Sequence, residues 1–209
     1  MGFKISILLI PLNERSLAEV VKSVYGKGAH LEQCSETVET ALYPDDQKKA
    51  YACEEGGNVW IFDWVLVPSA VDSNKILVPD AGLFYLHSVT NGYAFMILKD
   101  GDIVRRRFGG SDEGIAYDEG DLLDSELKAI TEAGGNFEEM KAAWLDDEVT
   151  IETADYEHAH DTLGEEMVFA VLEDKSAIHL SKVNERSERF YDQSVFEIRK
   201  PSFLSRLLN

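Results

Sequence analysis

This chain is poor in sulfur, in proline and in positive charge. Two cysteines in 209 residues, Cys34 and Cys53, are too few for a disulfide scaffold and form no C-x-x-C pair. They are expected as reduced, partly buried thiols in a cytoplasmic protein. No apolar run approaches the ~20 residues that a membrane helix needs. The N-terminal run from Ile5 to Leu12 is broken by Pro11 and followed by Asn13-Glu14-Arg15, with no small-residue cleavage site. It predicts a buried strand, not a signal peptide. Lys and Arg total 20 against 39 Asp and Glu, a formal net charge of -19. That balance argues against a sequence-independent grip on nucleic acid, which needs cations for phosphates, and against docking on an anionic membrane. There is no Walker A loop, no G-x-G-x-x-G and no H-E-x-x-H, so no cofactor is expected.

What is present is enough for one domain with a core. The chain is 44% apolar and 10% aromatic, and its length suits a single unit over 1–209. The acidity is local. From Ser111 to Asp174 there are 21 acidic residues and two basic ones, Lys128 and Lys141; the other 145 residues carry 18 of each sign. The whole net charge therefore belongs to this segment of helices and loops. It serves solubility, or it draws in a basic protein partner.

Hydrophobic patterning predicts a strand from Lys4 to Ile10, then a helix capped by Asn13 with Leu17, Val20, Val21 and Val24 on one stripe. Asp45 and Asp46 are expected to open a helix running to about Glu54 and closed by Gly56-Gly57. Asn58 to Val67 suits a central strand covered on both faces. The clearest segment is 82–109, where Asn91-Gly92 and Asp100-Gly101 separate three apolar runs. Both dipeptides favour tight hairpins, so a three-stranded antiparallel meander is expected. Two-residue loops would set His87, Met96 and Arg105 in one cross-strand row; a bulge at Asp102 would exchange Arg105 for Arg106. Further helices are expected from Asp124 or Ser125, from Asn136, and over Leu163–Leu172; a late strand is expected at Phe196–Lys200. The fold class is α+β: a largely antiparallel sheet with this meander near its centre and helices packed on it.

Three groups could carry chemistry. His87, with Arg105 and with Glu126 or Glu119 as a charge partner, would make a polar pocket on one face of the meander, the histidine acting as acid or base and the arginine holding an anion. His158 and His160, flanked by carboxylates, form the one candidate metal cluster; a solvated loop is the plainer reading of 155–161. Asp118-Glu119-Gly120-Asp121 has the composition of a calcium loop without its twelve-residue spacing.

Several short features recur in order along the chain. Met1-Gly2 precedes the Lys4 strand, Leu86-His87-Ser88-Val89 precedes the Phe95 strand, and Asp100-Gly101 leads into Val104-Arg105. Gly114-Ile115 precedes Glu119-Gly120, Leu122-Leu123 precedes Glu126, and Leu163-Gly164-Glu165 opens a late helix. In these features the chain resembles a bacterial, mostly actinobacterial, family of uncharacterised proteins, a domain of unknown function. Asn91-Gly92 and Arg105-Arg106-Arg107 depart from its usual pattern. The resemblance implies a shared fold and brings no activity with it. The function expected from the residues is that of a binding or interaction module, immunity-type or regulatory, whose acidic surface meets a basic partner. The alternative is an enzyme using the His87 face.

Overall fold

The computed structural model describes residues 4–73, 75–87, 92–110, 114–132, 153–180 and 188–200. The helix expected from Asn136 lies outside them. The described residues build an α+β fold on one nine-stranded sheet. Its strands are β1 (Lys4–Pro11), β2 (His30–Gln33), β3 (Ala50–Glu55), β4 (Asn58–Asp63), β5 (Ala81–His87), β6 (Gly92–Lys99), β7 (Asp102–Gly110), β8 (Gly114–Gly120) and β9 (Phe196–Arg199). Their order is β2-β9-β3-β4-β1-β5-β6-β7-β8, and every neighbouring pair is antiparallel.

Helices cover both faces. On one face lie α1 (Leu17–Tyr25) and α3 (Leu66–Asp72), which pack Val20, Val21, Val67 and Val71 against Leu8, Ile61, Leu83 and Met96. On the other lie α2 (Val38–Leu42), α4 (Asp124–Glu132), α5 (Thr153–Ser176) and α6 (Glu188–Tyr191). There Val38, Ile130, Met167, Val168 and Phe190 meet Ile7, Trp60, Phe84 and Phe95. The sheet is thus a middle layer, and the apolar residues of β1 and β4 on both faces follow from that. Among the described residues no helix is long and apolar enough to cross a membrane.

Several local expectations change. Asn13 and Glu14 adopt positive φ (44° and 65°) and form a turn; Ser16 caps α1 instead. Its hydroxyl accepts from the Glu19 amide, and the Glu19 carboxylate accepts from the Ser16 amide in return. The helix expected up to Glu54 is strand β3, and Gly56-Gly57, at φ 62° and 75°, is the turn of a β3–β4 hairpin. Ala50 to Cys53 are all buried, which suits a strand covered on both sides better than an amphipathic helix. The strand over Asn58–Val67 ends early, at Asp63. Its Oδ1 accepts from the amides of Val65 and Leu66 at 2.9 Å each and so opens α3. Helix α5 takes in 153–162, which covers the segment read as a solvated loop.

Helix α5 crosses β6 at Gly164, where an added Cβ would overlap the ring of Tyr93. Tyr93 is only 1% exposed, so it has nowhere to go. Gly164→Ala is therefore expected to cost about 2 kcal/mol, read as a lower midpoint in urea with an unchanged m-value.

Candidate functional site

The meander forms, with a different register. β5 pairs with β6 as His87↔Gly92 and Leu83↔Met96, so the connection is four residues long instead of the two expected. β6 and β7 start as expected with Lys99↔Asp102 and Leu98↔Ile103. The register then slips, and Ile97 faces Arg105, with Val104 as the extra residue. The one-residue exchange of arginines is real, but its bulge sits at Val104 and not at Asp102. Gly120 makes this possible. It has φ 84°, and a side chain there would overlap the Val104 carbonyl.

The slip decides where the arginines go. Arg105 and Arg107 enter the face of Phe95 and Ile97, while Arg106 enters the face of Met96. Arg105, Arg106 and Arg107 are all buried, at 1%, 1% and 0% exposure. Arg105 donates through Nε and Nη2 to the two carboxylate oxygens of Glu126, each at 2.8 Å. Its Nη1 lies 2.6 Å from Asp118 Oδ1 and donates to the carbonyls of Glu119 and Gly120. Burial alone would lower the pKa of Arg105, but the hydrogen bonds and charges of Glu126 and Asp118 outweigh it and hold the group above the ordinary arginine value. Arg107 Nη1 donates to Asp118 Oδ2 at 3.2 Å, so one carboxylate bridges two guanidinium groups. On the other face Arg106 donates to the carbonyls of Val71 and Asp72, closing the C-terminal end of α3. Its guanidinium lies 3.5 Å from the Tyr117 ring centre, and Glu119 is 3.6 Å away.

Of the residues expected to form a pocket, Arg105 and Glu126 come together and His87 does not. Arg105 faces Ile97, which faces Gly82, and His87 lies five residues further along β5 on the opposite face. At about 3.4 Å per residue that is roughly 17 Å along the strand alone. The ring of His87 instead stands edge-on to Trp64, with centres 6.4 Å apart. Glu126 itself is 0% exposed and also accepts from the Leu123 amide at 3.0 Å, so it fixes the entry to α4 as well as Arg105. His158 and His160 lie on α5, two positions apart. Among the described residues, no group of three or more His, Cys, Asp or Glu is placed to hold a metal. Asp118 and Glu119 are strand residues facing the arginines. The signal for them was in the sequence: three successive arginines on a covered strand need carboxylates on both faces, and the next strand carries two adjacent ones.

A second feature lies further along the acidic segment. Helices α4 and α5 enclose a cleft of about 630 Å³. Asp124, Glu132, Glu166, Glu173 and Asp174 line it, together with the ammonium of Lys128 and the imidazole of His179. Lys128 lies 3.7 Å from Glu132, and His179 Nδ1 lies 3.0 Å from Glu173. Burial, then the charges of Glu173 and Glu132, push the Glu166 carboxyl above the usual carboxylate range. Burial and Glu166 do the same to Glu165. No family model, no curated protein and no solved structure matches this chain.

Glu126→Ala, which strands Arg105 beneath α4, is expected to cost about 4 kcal/mol. Arg105→Met with Glu126→Leu should lose clearly less than the two single changes summed, as a double-mutant cycle in urea would show. Glu166 has the opposite sign. Its raised pKa means that the free protein loses stability as pH rises through that titration. Glu166→Gln is expected to raise the melting temperature at pH 7 by about 1 °C. That gain should vanish at low pH, where the wild-type carboxyl is already neutral.

Proposed function

We propose that this chain is a binding module whose acidic segment receives a basic protein partner. The observation that supports this best is the α4–α5 cleft, where carboxylates outnumber cations and where partial burial, then the charges of Glu173 and Glu132, hold the Glu166 carboxyl above its ordinary range. A cationic side chain placed there relieves that repulsion and favours the carboxylate. Like-charged groups kept together at some cost to stability are a mark of a site. The arginine row supports the same reading from the other side. Asp118 and Glu126 neutralise their own sheet, whereas five carboxylates line the cleft with one lysine, Lys128, among them. An immunity-type or regulatory role fits such a surface, since opposite charge speeds encounter and disfavours wrong partners.

Titration of the full chain with poly-lysine, followed by calorimetry at two ionic strengths, tests the reading. Affinity is expected to fall steeply with added salt. Glu166→Lys with Glu173→Lys should weaken binding about tenfold. The same charge change made outside the segment, as Glu14→Lys with Asp45→Lys, should alter it far less. Salt-independent association, or equal loss in both double variants, would overturn the proposal.

A further inference from the structure

The sheet has two ends, and they differ. At one, β2 is four residues long. At the other, among the described residues, the last strand is β8, seven residues long and without lysine or proline. Those are two of the usual devices that protect an edge strand from adding another chain. Ala116, Asp118, Glu119 and Gly120 are all exposed. The Asp118 side chain is only 22% exposed, held by two arginines, so the exposure of that residue lies largely in its main chain. Edge backbone that is exposed presents amides and carbonyls ready to pair.

We infer that the β8 edge takes up an extended cationic segment of the basic partner as an additional strand. This rests on the proposed function and specifies how the partner is held. Charge chooses the occupant. Asp118 and Glu119 point to opposite faces at the edge, and exposed Asp121 and Asp124 continue the acidity from the strand towards the cleft. A second copy of this chain, with a net charge of -19, would bring the same carboxylates face to face and be repelled. A strand with alternating basic residues would instead set its cations along one face, beside Glu119, and its apolar residues along the other, where Asp118 is already held by Arg105 and Arg107. Glu119 is suited to this, being 53% exposed and only loosely engaged with Arg106 at 3.6 Å. Pairing would centre on Tyr117–Gly120. N-terminal to it the register slips, since Phe108 faces Tyr117 and Gly109 faces Ile115, and Ala116 is left over.

The test uses the full chain and a blocked octapeptide of alternating lysine and valine. A second peptide of the same sequence is N-methylated at every residue, which keeps the charge and removes the strand-pairing donors of both edges. The unmodified peptide is expected to bind about tenfold tighter than the methylated one. It should also slow hydrogen exchange at the amides of 117–120. Glu119→Lys should remove most of that preference, and Glu119→Gln part of it, with melting curves showing that both variants fold. Equal binding of the two peptides, with protection confined to α4 and α5, would overturn the edge inference and leave the acidic-cleft reading standing. Binding of neither would overturn both. Protection of 117–120 without peptide, rising with protein concentration, would make the occupant a second copy and overturn the inference.

Discussion

Three arginines lie side by side in the interior of this protein, and the arrangement around them follows from the need to neutralise them. A guanidinium group taken out of water carries a large desolvation cost unless carboxylates and carbonyls replace its hydration. Strand β7 alternates its side chains, so the three cannot share one partner layer. Arg105 and Arg107 are met by Glu126 and Asp118 on one face. Arg106 is met by the α3 carbonyls, Tyr117 and Glu119 on the other. Strand β8, helix α4 and the end of α3 are thereby tied to one strand. The pairing is a constraint of position more than a store of stability, because such buried pairs seldom outperform well-packed apolar residues.

One backbone irregularity sets this up. The extra residue at Val104 turns Arg105 from the Met96 face to the face where Glu126 waits. Gly120 is the counterpart on β8, with a positive φ and no room for a side chain against Val104. Bulge and glycine face each other across the β7–β8 pair. Moving the bulge by one residue would put an arginine against the wrong layer.

The acidic segment divides by task along its length. In its first part Asp118, Glu119 and Glu126 meet the arginines of the sheet. Beyond that, carboxylates gather between α4 and α5 with few cations among them, and burial and like charge together hold Glu166 protonated more readily than usual. The same negative charge thus holds the fold together at one end and works slightly against it at the other.

Much of this was readable in the sequence. The α+β class, β1, the meander, α4, the core of α5 and β9 followed from periodicity, turn dipeptides and caps, because those signals are local. The confinement of net charge to Ser111–Asp174 was a matter of counting. Other features were decided by the tertiary structure. Ala50 to Glu55 became a strand because a neighbour on each side was available to pair with it. The arginines changed faces because a single bulge inverts the parity of a strand, and no composition marks Val104 as that residue. Arg105 met Glu126 through that bulge, and His87 stayed apart because it pairs with Gly92, where the Asn-Gly signal implied Met96. Sequence alone determines which residue types a covered strand must be matched with; register, a property of pairs of strands, determines which individual residues meet.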